Sequence, residues 1–165
     1  MSIRRSTATL WVLGFALLAV TLDQVTKQVA LTFLEPGHPV NFLGEVVRWW
    51  LTKNDSAAFS MGFGITWIFT VLSSIAVLVA IWLIRKVHTK SWALMLGIAL
   101  GGVAGNLVDR LTREPGFPNG HVIDFISIPF NFPIFNVADM CIFFVALFTV
   151  IRTMRGDNLG GGKAE

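Results

Sequence analysis

Seven polar side chains stand inside or beside apolar stretches of this sequence, and their spacing sorts them into three groups. Asp23 and Lys27 lie four residues apart near the end of one apolar run; Asn106, Asp109 and Arg110 fall at i, i+3 and i+4 at the end of another; Asn136 and Asp139 lie three apart at the start of a third. Side chains three and four apart share a helix face. Ionisable groups in apolar spans are costly unless they face a protein interior or a water-filled cavity where partners meet them. An eighth residue, Asp124, sits in His121-Val122-Ile123-Asp124-Phe125-Ile126, a β-branched and aromatic run between prolines that reads as a brief strand. Two aspartates brought to within about 3 Å cannot both ionise readily, so one holds a proton while the other acts as a base. That division suits peptide hydrolysis. The ionised carboxylate takes a proton from water, and the protonated one polarises the scissile carbonyl and then assists the leaving amine. Asp124 and Asp139 are the candidate pair.

Other chemistries find less support in the residues. His121 and Asp124 could ligate a metal, but there is no His-Glu-x-x-His run, and His38 and His88 fall on opposite sides of the topology derived below, so no metal or cofactor is expected. Ser56, Ser60, Ser73 and Ser74 lack a Gly-x-Ser-x-Gly elbow, and Ser73 and Ser74 lie mid-span, where helix packing accounts for them. Phosphate-binding glycine loops are absent.

The elements that must position these groups follow from composition. Of 165 residues, 54% are hydrophobic and only 14% charged, too apolar for an ordinary soluble domain. A spanning helix needs about 20 mostly apolar residues, and the runs 9–29, 65–84, 92–108 and 135–151 meet or approach that length. The expected fold is an all-α membrane core of four transmembrane helices, a single integral domain over 1–165, with a small extracytoplasmic β-containing segment between helices 1 and 2 and a flexible tail from about residue 156. Arg4 and Arg5 before an apolar run also resemble a signal peptide, but the run continues into Asp23 and Lys27 with no small-residue cleavage site, so the first span is expected to stay. The single Cys141 lies inside the last run and reads as helix packing.

Charge orients the bundle. Segments 1–8, 85–91 and 152–165 carry eight cations and two acids, whereas the rest of the chain carries five cations and eight acids. The cationic excess puts both termini in the cytoplasm. The net charge of +3 therefore sums a basic face and an acidic face on opposite sides of a bilayer, which disfavours nucleic-acid binding. Trp82 and Trp92 flank the basic middle loop and Trp67 opens the second span, positions that suit rings at the headgroup level.

The links shape the site. The first, from about residue 30 to 64, contains Pro36, Gly37, Pro39 and then Val46-Val47-Arg48-Trp49-Trp50-Leu51-Thr52, a composition that predicts short strands. Such a sheet could rest on headgroups and offer edge hydrogen bonds to an extended peptide. In the third span Gly97, Gly101 and Gly105 recur every fourth residue, with Gly102 beside them, so one helix face lets neighbours approach closely. Between spans three and four, Pro115, Pro118, Pro129 and Pro133 exclude helix over most of the link.

Taken in order, Asp23-Gln24-Val25-Thr26-Lys27, Asn54-Asp55-Ser56-Ala57-Ala58-Phe59-Ser60, Gly105-Asn106-Leu107-Val108-Asp109-Arg110, Val122-Ile123-Asp124-Phe125 and Phe135-Asn136-Val137-Ala138-Asp139 resemble the lipoprotein signal peptidase (signal peptidase II) family over about residues 10–152. The resemblance implies an aspartyl endopeptidase of the bacterial inner membrane, active near the extracytoplasmic face. It would remove the signal peptide from diacylglyceryl-modified prolipoproteins by cutting N-terminal to the lipidated cysteine. It implies Asp124 and Asp139 as the catalytic pair, with Asp23, Asn54, Asn106, Arg110 and Asn136 as supporting or substrate-binding positions, and no cofactor. Arg110 would address substrate backbone or lipid-ester oxygens through its forked donors; Lys27 would serve structure or charge balance. Expected partners are the lipidated substrate and membrane lipids, with no nucleic acid, and a monomer is expected to suffice. Ser56 departs from the family's segment, which more often reads glycine there; were that backbone position at positive φ, serine would be strained.

Rival functions make different demands. A proton-coupled transporter needs carboxylates reachable from both faces, whereas here they cluster at one. An assembly or lipid-binding protein would lose stability or binding, not a covalent conversion, when the two aspartates are neutralised. A prepilin-type aspartyl peptidase would carry a Gly-x-Gly-Asp segment, which this sequence lacks.

Overall fold

The computed structural model describes residues 3–55 and 66–157. The expectations concerning Ser56 and Ser60, and the glycine-rich tail beyond residue 157, fall outside them. The described chain forms helices α1 (Arg5–Phe33), α2 (Thr66–Leu83), α3 (Lys90–Thr112) and α4 (Val137–Met154), each long and apolar enough to cross a membrane. Leu10, Leu17 and Leu78 turn outward, 71%, 70% and 65% exposed, as a lipid-facing surface requires. Helices α1 and α3 run beyond the stretches that hydropathy alone marks out. Their polar residues Asp23, Lys27, Asn106 and Asp109 lie on buried faces, so the helix continues past them. The start of the fourth span differs more usefully: the helix begins at Val137, and Asn136 is its N-cap instead of a residue of its first turn.

Helix α3 is central and packs against the other three. The buried stripe of α1, Ala8, Val12, Ala16, Ala19, Asp23, Lys27 and Ala30, advances by three or four residues each step, the spacing of a single helix face. Its small residues meet the glycines of α3. A methyl carbon at Gly97 would stand 2.7 Å from the Val12 carbonyl oxygen, and one at Gly101 would stand 2.5 Å from Ala19 Cβ. This close approach continues upward until Gly105 lies against Asp23. The same packing that drives the helices together therefore carries the polar residues into contact. On the opposite side Gly102 accommodates α4 at Ala138 and Cys141. Gly101→Val is expected to cost about 3 kcal/mol through overpacking, read as a fall in Tm in detergent; Gly14→Ala on α1, with nothing within 4 Å, is the near-neutral control.

Three antiparallel strands, β1 (Val40–Leu43), β2 (Val47–Asn54) and β3 (Val122–Ser127), pair in the order β1-β2-β3. The first two come from the link between α1 and α2, as expected, and the third is the predicted strand carrying Asp124. All six residues of β3 are buried. Leu51, Ile123 and Phe125 join Ala30 of α1 in a core beneath the sheet. The edge strand β1 and its turn leave Phe42, Leu43 and Val46 exposed, the apolar outer surface anticipated for this segment. The following link is pinned to the end of α3. Gly120 donates its N–H to the Arg110 carbonyl at 3.1 Å, and a side chain there would meet the Asp109 carbonyl oxygen at 2.5 Å, so only glycine lets the chain pass.

At the other end of the bundle, Ile3 N–H donates to the His88 carbonyl at 2.8 Å and Arg152 donates to Ser91 Oγ at 2.7 Å. The basic segments thus gather at one end. Lys86 lies over Trp82 at 4.2 Å and Arg152 over Trp92 at 4.6 Å. Trp92 departs from its expected place among headgroups: it is 3% exposed and packs with Ala8, Val12 and Val87 in the core.

Candidate active site

Strand β3 and the first turn of α4 present Asp124 and Asp139 to one cavity of about 260 Å³, lined also by Asn54, Asn106, Arg110 and Phe132. The local chain explains each position. Pairing with β2 fixes β3, with Asp124 opposite Thr52 and Val122 opposite Asn54. Phe125 and Ile126 N–H both donate to the Phe135 carbonyl, at 3.1 and 2.9 Å, which brings the segment before α4 alongside the strand. Asn136 and Asp139 then form a reciprocal capping box. The Asn136 side-chain oxygen accepts from Asp139 N–H at 3.0 Å, and Asn136 N–H donates to Asp139 Oδ2 at 3.1 Å.

Two asparagine amides connect the carboxyls. Asn136 Nδ2 donates to Asp124 Oδ1 at 2.6 Å and to Asn106 Oδ1 at 3.2 Å, while Asn106 Nδ2 donates to Asp139 Oδ1 at 2.8 Å. Asn54 Nδ2 supplies Asp124 Oδ2 at 2.8 Å. Each carboxyl is thereby held at both oxygens by named N–H donors. Burial first, and then the charge of Asp139, push the Asp124 carboxyl up from its ordinary 3.8 to about 7, against the opposing effect of the Asn54 and Asn136 hydrogen bonds.

Beneath the cavity lies a second polar layer. Lys27 is fully buried, and its ammonium meets Asp23 Oδ2 and Asp109 Oδ2, each at 2.8 Å, and Asn106 Oδ1 at 2.9 Å. Asp109 also pairs with Arg113 Nε at 2.6 Å. The two buried acids reach backbone. Asp109 Oδ2 accepts from Ile123 N–H at 3.2 Å and Asp23 Oδ1 from Ala138 N–H at 3.0 Å. Ile123 and Ala138 are the residues immediately before Asp124 and Asp139, so each acid of the lower layer anchors the chain beside one carboxyl of the upper.

Of the residues singled out in the sequence, Asn54, Asn106, Arg110, Asp124 and Asp139 line the one cavity, and Asn136 bridges from beneath it. Asp23 does not reach the cavity and belongs to the lower layer. Arg110 stands over Phe69 at 5.9 Å and donates to the Asn106 carbonyl at 3.4 Å. Two positioning groups had no role assigned from sequence: Asp109, whose i+3 spacing from Asn106 marked it, and Gln24, whose Nε2 bridges Asp23, the Gly105 carbonyl and Asp109 at 3.0 to 3.1 Å. The i,i+4 pairing of Asp23 with Lys27 is as the spacing predicts.

Comparison with known proteins identifies the family and the fold. Residues 15–155 match the family described as signal peptidase (SPase) II. The lipoprotein signal peptidase of Mycobacterium tuberculosis is 45% identical over 156 residues, covering 93% of this chain and 77% of that protein. The lipoprotein signal peptidase of Leifsonia xyli subsp. xyli is 42% identical over 148 residues, covering 90% of this chain and 68% of that protein. A bacterial membrane enzyme determined by the in meso method at 2.3 Å resolution shares the fold, with a TM-score of 0.77 at 23% identity over 91% of this chain and 88% of that one. With a family match over most of its length and relatives of this similarity, the chain is a multi-pass membrane protein that belongs to the signal peptidase II family of peptidases.

Proposed function

We propose that this protein is an aspartyl endopeptidase that removes signal peptides from diacylglyceryl-modified prolipoproteins, with Asp124 and Asp139 as its catalytic pair. The observation that carries the reading is the cavity in which these two carboxyls are joined through the Asn106 and Asn136 amides. The name lipoprotein signal peptidase, borne by the relatives, supports the substrate class.

In this mechanism Asp124 holds a proton up to about pH 7, and the base role falls to Asp139. Asp139 takes a proton from the attacking water, whose oxygen bonds to the scissile carbonyl carbon. Asp124 donates its proton to the carbonyl oxygen as the tetrahedral intermediate forms. Collapse of that intermediate breaks the C–N bond, and the amine departs with a proton relayed from the pair. The free amine is that of the lipidated cysteine and the free carboxylate is that of the signal peptide. Asn54 and Asn136 hold Asp124, Asn106 holds Asp139, Asp23 anchors α4, and Arg110 offers its remaining donors to substrate carbonyl or lipid-ester oxygens. The basic end of the bundle faces the cytoplasm with both termini, and the cavity lies near the extracytoplasmic face of a bacterial inner membrane. One domain, acting as a monomer, holds the whole site.

Purified protein in detergent, given a lipidated prolipoprotein, is expected to yield a product whose N-terminal residue is the lipidated cysteine, read by mass spectrometry. Intact substrate in the presence of a folded enzyme would sink the proposal. The pH dependence has a definite sign. Because Asp124 must be protonated, kcat/KM is expected to fall as pH rises through about 7, by about tenfold per unit above it. A rate still rising between pH 7 and 9 would remove Asp124 as the acid.

A further inference from the structure

Lys27 occupies an unusual position for a lysine. Its side chain is wholly enclosed at membrane depth, and among the described residues its ammonium bonds to Asp23, Asp109 and Asn106 instead of to Asp124 or Asp139. An ammonium has three N–H donors and no acceptor, so these three oxygens saturate it. Charge balance with Asp23 and Asp109 would account for two of the contacts. The third does something else.

An asparagine amide can be turned end for end at little steric cost, exchanging a donor for an acceptor. The atom of Asn106 that faces Lys27 must be oxygen, because a donor-only ammonium would repel an N–H. That requirement leaves Nδ2 to face Asp139 Oδ1. The same oxygen also accepts from Asn136 Nδ2, whose other hydrogen bond goes to Asp124 Oδ1. The direction of every side-chain amide hydrogen bond described between the two carboxyls is therefore consistent with the single donor Lys27. In addition, the two acids that Lys27 pairs hold the backbone N–H groups of Ile123 and Ala138, each one residue before a carboxyl of the pair.

We propose that Lys27 is a positioning residue for the peptidase reaction: by fixing the amide polarity of Asn106 it directs an N–H donor at Asp139, a role separate from neutralising Asp23 and Asp109. The proposal rests on the catalytic reading of Asp124 and Asp139 and adds the group that orients them. Without the lysine, Asn106 Oδ1 keeps only the longer hydrogen bond from Asn136 Nδ2, so the amide is less firmly held and the N–H donor it aims at Asp139 loses its alignment.

The test separates orientation from charge. Lys27→Met alone leaves an unbalanced buried carboxylate. It is compared with Lys27→Met/Asp23→Asn, which restores neutrality while the oxygen of the introduced amide can still accept from Ala138 N–H. Thermal melts in detergent establish folding, and kcat and KM are measured on a lipidated prolipoprotein. The double variant is expected to recover stability relative to Lys27→Met yet turn over about 100-fold more slowly than wild type, with KM within about threefold. Recovery of wild-type kcat in the double variant would overturn the proposal and leave Lys27 with charge balance alone. Should that variant not fold, Asn106→Asp decides the matter. It keeps an oxygen for Lys27 but turns a second oxygen, not an N–H, toward Asp139, so a comparable loss of kcat is expected and wild-type kcat would overturn the role. Asp124→Asn and Asp139→Asn are assayed alongside: if either cleaves at a tenth of the wild-type rate or faster, the catalytic reading itself fails; if both lose cleavage while the double variant is fully active, only the role of Lys27 does.

Discussion

Asp139→Asn and Asp124→Asn should each fold like the parent protein and lose prolipoprotein cleavage by at least ~10³-fold, the upper part of the range for removal of a general acid or base. The substitution is nearly isosteric, but at either position the surrounding N–H donors leave no site suited to the NH₂ of an amide. Asp124 accepts at both oxygens, from Asn136 at 2.6 Å and Asn54 at 2.8 Å. An amide at this position must turn its own NH₂ toward one of those donors. Asp139→Asn meets the same difficulty between Asn106 Nδ2 and the Asn136 backbone N–H. Neither variant should bind substrate much differently, because the apolar wall at Phe132 and the Arg110 side chain are untouched. Loss should therefore fall on kcat, with KM little changed. Cleavage of the lipidated substrate followed by gel mobility, beside a melting curve for each variant, makes the measurement. A folded variant that cuts at even a tenth of the parent rate would take its aspartate out of the mechanism.

Asn136→Ala should be the next most damaging single change, through two separable losses. The side chain caps α4 through its oxygen and supplies both Asp124 and Asn106 through its nitrogen. Removal of the cap costs about 1 kcal/mol of stability, and removal of an aligned donor at the reacting groups costs about 100-fold in kcat. Asn136→Ser divides these effects. Serine is a good N-cap but its hydroxyl cannot reproduce the two donations, so the melting temperature should return most of the way while the rate does not. If serine restores both, the amide acts only as a cap.

These effects could be located in the sequence only in part. Apolar length marked the four helices, and the small residues of α3 marked the face on which α1 packs. Spacing of three and four grouped Asp23 with Lys27 and Asn136 with Asp139, because helix geometry makes such neighbours touch whatever the rest of the fold does. The run around Asp124 read as a strand from its β-branched residues and flanking prolines. What did not read out was contact between distant segments. Asp23 accepts from the backbone of Ala138, 115 positions away, and no local pattern encodes that distance. Spacing thus places Asp23 with Lys27 on one face and Asn106 with Asp109 on another, but not the contacts of Lys27 with Asp109 and Asn106 that join them into one layer. Trp92 shows the same limit: an indole beside a basic loop looks interfacial until the neighbouring helices close over it.

The order of the polypeptide gives this architecture a consequence for biogenesis. Chains are made from the N-terminus, so α1, α2 and α3 are all synthesised before Asp139. Through that interval Lys27 can already join Asp23 to Asp109, which both lie on the earlier helices. Arrival of α4 then delivers Asp139, the bridging Asn136 and the Ala138 N–H that awaits Asp23 in a single docking event. On the proposed mechanism the nascent chain is therefore inert toward the signal peptides translocating around it, and proteolytic competence is acquired all at once when its fourth helix seats against Gly102.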